Sequence, residues 1–215
     1  MRPKLSVGSI IRLTGIWRDQ VPVFALRSHP EALSARSGCH WLAAFVQWYA
    51  LTTTEEYGVS IDQTQFRHIL GHFASGVTVV TTCRQGFCHG ITVSAFCSLS
   101  LTPPLVLVCI DHRNTSHQLL EEAGIFAVNM LAEDGELLSR HFASREENKF
   151  ATIAHHFGET GAPLLDGALA TLECRLVDRF PGGDHSIFVG EVLSGSARED
   201  TDPLLYFRGG YRQLG

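Results

Sequence analysis

Val77-Thr78-Val79-Val80-Thr81-Thr82 is an unbroken run of β-branched residues. Branching at Cβ restricts χ1 in a helix and suits the pleated surface of a sheet, so the run predicts a strand opening after Gly76. Gln85-Gly86 then makes a turn into a second extended segment, Phe87 to Ser94. Pro103-Pro104 halts the chain before Leu105 to Ile110, an almost wholly apolar run expected of a strand buried on both faces. Further strands are expected at Ile125–Met130, Ala168–Phe180, Ser186–Leu193 and Leu204–Phe207, the two long ones joined through Pro181-Gly182-Gly183-Asp184. Helices are fewer. Gln63–Phe73, capped by Asp62, places Phe66, Ile69, Leu70 and Phe73 on one face, and two more are expected around Ser116–Glu122 and Asp134–Phe142. Many strands joined by tight turns fit a mainly β fold, a closed antiparallel barrel rather than a doubly wound sheet.

This pattern begins only near Ser60. Up to Val59 there are six Lys/Arg against four Asp/Glu; from Ser60 onward there are eleven against eighteen. We therefore divide the chain into residues 1–59 and a domain at residues 60–215. The first segment carries Pro3, Pro22 and Pro30 and shows no sustained period. It reads as a poorly ordered extension, or as the product of a start assigned upstream of the true one, with Val59 a candidate codon. A transit peptide is a third reading, opposed by the prolines that interrupt any long amphipathic helix. Its one apolar stretch, Trp41 to Leu51, is far shorter than the ~20 residues of a spanning helix, and no membrane partner is expected.

A net charge of −5 is the wrong sign for a nucleic-acid surface. The six cysteines, Cys39, Cys83, Cys88, Cys97, Cys109 and Cys174, form no CxxC pair and no zinc spacing. Most stand among apolar residues, so we read them as reduced core thiols of a cytoplasmic protein. No GxGxxG, P-loop or GxSxG elbow is present. His155-His156 has no partner at metal spacing, and no metal site is expected. A chain without these signatures does chemistry if a bound cofactor carries it.

Four ordered segments bear on which cofactor. The first is Phe66 to Phe73 leading into Gly76–Thr82. The second is Gly90 to Leu101 with Pro103-Pro104. The third is Lys149-Phe150-Ala151 with Gly161-Ala162-Pro163 and Ala170 to Cys174. The fourth is Gly183-Asp184-His185 with Gly190-Glu191-Val192, Pro203 to Phe207 and Gly210-Tyr211. Together they resemble the flavin reductase family, which includes the small components of two-component aromatic monooxygenases. The resemblance covers about 150 residues and implies an antiparallel split β-barrel of the FMN-binding type.

The same resemblance implies the ligands and the residues that hold them: FMN or FAD, with NADH or NADPH as co-substrate. Flavin contacts fall on Ser94, Ala95, Phe96, Cys97, Ser98, Ser100 and Leu101, where small and hydroxyl side chains let backbone approach a planar ligand; a Ser-rich loop between strands is the plain alternative. Thr115, Ser116 and His117 open a helix, where hydroxyls and free N–H groups suit the flavin's phosphate; capping alone also accounts for Thr115 or Ser116, and His117 departs from the family's bulkier or aliphatic residue. Asn129, Lys149 and Tyr211 are further candidates for cofactor contact. His185, following a glycine turn, corresponds to a histidine that positions the nicotinamide. The implied assembly is a homodimer, serving a partner monooxygenase. Two other readings are a flavin-dependent oxidase on the same barrel and a non-catalytic flavin-binding module; neither needs the nicotinamide site at His185.

Overall fold

The computed structural model describes residues 16–18, 21–23 and 61–214. The chain divides into two units, residues 1–59 and 60–215. In the first, β1 (Ile16–Arg18) and β2 (Val21–Val23) form an antiparallel pair. The expectations of disorder or a misassigned start, and Cys39, otherwise lie outside the described residues.

The second unit begins with α1 (Gln63–Leu70), where Asp62 accepts hydrogen bonds from the Thr64 and Gln65 N–H groups at 2.8 and 3.0 Å. The cap is as the sequence suggests, but the helix ends three residues early. Its apolar face is open: Phe66, Ile69 and Leu70 are about half exposed and Phe73 is 78% exposed.

Seven antiparallel strands then form one sheet in the order β5-β4-β8-β11-β12-β7-β6. They are β4 (Thr78–Arg84), β5 (Phe87–Val93), β6 (Phe96–Leu101), β7 (Pro104–Asp111), β8 (Ile125–Leu131), β11 (Ala168–Gly182) and β12 (His185–Ala197). Short strands lie beside it: β9 (His155–Phe157) pairs β10 (Pro163–Leu165), and β3 (Ser75–Gly76) joins β13 (Leu205–Phe207) and β14 (Gly210–Arg212). The split barrel implied by the family resemblance is found, and the closed barrel suggested by the strand pattern alone is corrected. β5 and β6 are consecutive in the chain yet stand at opposite edges without pairing, so the barrel is split between them. The segment read as a Ser-rich loop is itself the edge strand β6.

Turn chemistry sets the register. Gln85 and Gly86 both take positive φ, 51° and 83°, and Arg84 pairs Phe87, as a type I′ hairpin requires. Cys83 and Cys88, opposite each other one step further in, are joined by a disulfide. This corrects the reading of all six cysteines as reduced: cross-strand pairing brings together two residues whose spacing matches no motif. Cys97, Cys109 and Cys174 are free.

One core fills the barrel, built on Val80, Val108, Ile110, Phe126, Val128 and Phe188. A second, around Val79, Leu131, Phe142, Leu165 and Leu204, lies on the opposite face of β4 and β8. The successive residues Val79 and Val80 point to opposite faces and are both buried, which is why the 77–82 run is apolar or hydroxylic throughout. α3 (Glu136–Ala143) supplies Phe142 to the second core, and Gly90 of β5 makes room for that ring: a Cβ there would lie 2.6 Å from Phe142 Cε1.

Candidate active site

The end of β7 organises the site. The Cys109 N–H donates to the Ala95 carbonyl at 3.0 Å, seating the start of β6 on one side. Two residues on, Asp111 pairs with His185, the first residue of β12, on the other side. Strand spacing puts these flanks about 10 Å apart. Beyond Asp111 the chain turns directly into α2 (Thr115–Ala123). Four elements thus converge: the starts of β6, β12 and α2 at the end of β7.

Among the described residues β6 pairs only with β7, so its outer edge carries backbone donors and acceptors unpaired by them. Ser94, Ala95, Cys97 and Ser98 are exposed, Phe96 and Ser100 are half-buried, and Leu101 is 92% exposed. Phe96 leans inward against the barrel core, and the Ser100 hydroxyl accepts from the Thr102 N–H. The β6–β7 register shifts between Ser98 and Ser100, a bulge that re-aims the side chains along the edge. Small side chains beside an open backbone edge fit the polar rim of a flat ring system, and this donor set is compatible with an isoalloxazine.

His185 follows the two-residue turn Gly183-Asp184, where Gly183 has φ 70°. Its side chain is 41% exposed and Nδ1 lies 2.7 Å from Asp184 Oδ1. The carboxylate therefore accepts a hydrogen bond from Nδ1–H and leaves Nε2 free of it. The same bond holds the Asp184 carboxyl below its ordinary range. Asp111 is also held low, by the hydrogen bonds and charge of Arg113, which grips it through Nε and Nη2.

Sequence reasoning missed His112 and Ser186, beneath this turn. The Ser186 hydroxyl lies 3.1 Å from His112 Nε2 and 2.9 Å from His117 Nε2. One hydroxyl has one proton, so at least one of the two imidazoles donates to it. The His112 N–H also donates to the Asp184 carbonyl at 3.1 Å, fixing the turn that presents His185. The available signal was Asp111-His112-Arg113-Asn114, four polar residues directly after a buried apolar strand.

Several sequence candidates have side chains committed inside the protein. Ser116 turns inward to His89 Nδ1 at 2.6 Å, and its N–H is capped by Asn114 at 2.9 Å. The cap is thus Asn114 rather than Thr115 or Ser116, and it takes an N–H that the phosphate reading also needs; Thr115 alone of that trio remains exposed. His117 is buried, packs edge-on against Phe188, and is lowered in pKa by burial and by His112. Asn129 is buried, donating to the Val79 carbonyl and Thr81 Oγ1, each at 3.1 Å, and accepting from the Leu165 N–H at 2.7 Å. Lys149 is buried too: Nζ donates to the Gly90 and Phe142 carbonyls at 3.0 and 2.6 Å, and burial lowers its pKa. Its amine bridges β5 to the end of α3. Tyr211 lies 2.8 Å from Ser139 Oγ, on the helix whose Ser139 carbonyl accepts from Thr92, two residues before Ser94.

Burial, followed by the charge of Lys149, lowers the His89 pKa to about 4. The unfolded chain takes up this proton as pH falls through about 6.5, whereas the folded one resists until about 4. The neutral imidazole's stabilisation is therefore present above pH 6.5 and lost between 6.5 and 4, to a total of about 3 kcal/mol. Urea midpoints at pH 7 and 4.5 should show this loss in the parent and a smaller one in His89→Gln. Equal acid sensitivity in both would remove His89 as its source.

Comparison with known proteins identifies the family. Residues 70–215 match the family model described as "Flavin reductase like domain". The reductase component of 4-nitrophenol 4-monooxygenase/4-nitrocatechol 2-monooxygenase from Rhodococcus opacus is 45% identical over 149 residues, 69% of this chain and 80% of that one. The reductase component of 4-hydroxyphenylacetate 3-monooxygenase from Thermus thermophilus is 44% identical over 149 residues, 69% of this chain and 95% of that one. The Streptomyces globisporus NADH:FAD oxidoreductase SgcE6, solved in complex with NAD and FAD fragments, superposes with a TM-score of 0.69 at 39% identity, covering 72% of this chain and 93% of that one. A split antiparallel barrel carrying an open flavin-compatible edge, matched over most of its length by these relatives, places this chain in the flavin reductase family.

Proposed function

We propose that this chain passes hydride from a reduced nicotinamide, NADH or NADPH, to FMN or FAD, and delivers the reduced flavin to a partner monooxygenase. The observation that carries the reading is the end of β7, which seats the open start of β6 on one side and His185 on the other. The chemistry supplied by the bound pair is hydride transfer from the dihydronicotinamide C4 to flavin N5. The protein's task is alignment rather than acid–base catalysis. Ser94, Ala95 and Ser98 keep the β6 edge approachable, Thr115 offers its hydroxyl at the start of α2, and His185, oriented by Asp184, positions the nicotinamide.

The catalytic unit is residues 60–215, working as a homodimer. Support for a second copy comes from the apolar face of α1, open to solvent, and from Leu101, exposed at the end of the edge strand β6. No helix among the described residues is long and apolar enough to cross a membrane. The compartment proposed is the cytoplasm, on the ground that its NADH pool feeds the reaction; the Cys83–Cys88 disulfide removes reduced cysteines as an argument for it.

Mixing the purified protein with FMN or FAD and NADH or NADPH should consume the nicotinamide absorbance well above the flavin-only blank. No excess with any pairing rejects the assignment. His185→Ala should raise the KM for the nicotinamide about tenfold, the loss of one modest contact, with flavin affinity unchanged. A parallel fall in flavin affinity would make His185 a flavin-binding or structural residue instead.

A further inference from the structure

We propose that His112 and His117, sharing the Ser186 hydroxyl, clamp the turn that presents His185 and make capture of the nicotinamide sensitive to acid, an inference that rests on the reductase reading. They are positioning residues, acting through His185 rather than on the ligand. His112 grips both neighbours of His185. Its backbone N–H donates to the Asp184 carbonyl at 3.1 Å, and its Nε2 lies 3.1 Å from Ser186 Oγ. His117, from the first turn of α2, meets the same hydroxyl at 2.9 Å. The connection from β7 to α2 thus fastens the turn on either side of His185. Ser186 is 3% exposed, so its hydroxyl depends on these two rings rather than on water.

Counting protons gives the clamp two states. With both imidazoles neutral, one Nε2–H donates to Ser186 Oγ and the hydroxyl donates to the other Nε2. His117 is buried and packs edge-on against Phe188, whereas His112 is exposed. Charge is better tolerated on the exposed ring, so His112 is the donor and His117 the acceptor. One added proton sits on His112 with both bonds intact. A second has to go to His117, and there it makes both rings donors to a single oxygen. The hydroxyl proton then loses its acceptor, and two cationic rings face each other with centroids 5.0 Å apart.

The charged groups around the pair are already matched with one another. Glu121 of α2 is paired with Arg179 of β11, and Asp111 of β7 with Arg113, each at 2.7 Å. In the turn itself Asp184 is engaged by His185. No carboxylate among these is left over to hold a second imidazolium. Burial, followed by the charge of His112, accordingly keeps the His117 pKa below its ordinary value. A lowered pKa leaves His117 neutral at pH 7, so the clamp is complete there. It opens as pH falls below the usual histidine range near 6.5.

The test measures the nicotinamide KM and the flavin affinity at about pH 7.5 and about pH 5.5, on either side of that range, in the parent, Ser186→Ala and His117→Phe. Phenylalanine keeps a ring against Phe188 and removes the nitrogen. In the parent the KM should rise about fivefold in acid, the scale of one lost hydrogen bond, with flavin affinity unchanged. In each variant it should start about fivefold higher, with kcat retained, and rise no further. Ser186→Ala placed on His185→Ala should add nothing, because a residue acting through His185 then has nothing to act on. Independent multiplication of those two effects overturns the proposal. So does an acid rise that persists in His117→Phe, which assigns the titration to another group. Thermal melts identify a variant that has lost its fold, and the other then carries the test. A parent that oxidises no nicotinamide fails the reductase reading, and the clamp with it. A parent that does so, with its KM unmoved by Ser186→Ala, fails the clamp alone.

Discussion

Gly190→Ala should destabilise the domain by about 3 kcal/mol, the upper part of the range for overpacking a tight core. Gly190 sits on β12 between Leu176 of β11 and Val106 of β7, over the barrel interior. A Cβ at this position would lie 2.3 Å from Phe126 Cζ and 2.9 Å from Cys174 Cβ. Both neighbours are fully buried, so neither side chain has free space to retreat into. For a domain of this size the cost corresponds to a melting point lower by roughly 10 °C. A calorimetric scan reads it directly, and a shift under 2 °C would show that the Phe126 ring has room to move. Flavin affinity measured below the transition should be retained, because the strand centre lies away from the β6 edge.

Asn129→Ala is the second large effect. Its amide donates twice and accepts once, tying β8 to β4 and to Leu165 of β10. Removing it leaves the buried Leu165 N–H and Val79 carbonyl short of a partner, each worth about 1–3 kcal/mol when unpaired. The expected loss is about 4 kcal/mol by urea denaturation. The variant also separates two roles. A side chain that held the cofactor would lower flavin affinity at little cost in stability, whereas the geometry here requires the reverse.

How far the sequence carried can be judged from particular residues. Local chemistry was legible: Asp62 caps α1, Gln85-Gly86 forms its hairpin, and the β-branched run is β4. These depend on φ preferences and on hydrogen bonds a few residues long. The sequence brings forward Ser94–Leu101 and His185, and the fold sets them on the two flanks of β7. The sequence is silent where a residue type admits two uses. Lys149 and Asn129 carry groups that suit a ligand, but the same groups satisfy buried carbonyls and amides, and nothing local says which. The contact of His112 with Ser186 was invisible, since the two lie 74 residues apart and are joined by one hydrogen bond.

By itself, then, the sequence determined a mainly β domain with flavin-reductase motifs, because strand periodicity, turns and motif order are written along the chain. Only the tertiary structure decided where the barrel splits, that Cys83 meets Cys88, and that His185 stands across β7 from the open start of β6. Those outcomes depend on which strands pair and in what register. Pairing is fixed by packing between distant segments, with Phe126 over Gly190 and Phe142 over Gly90 as two such contacts. The physical reason is that a side chain's neighbours across a sheet are set by the whole fold, while its neighbours along the chain are given from the start.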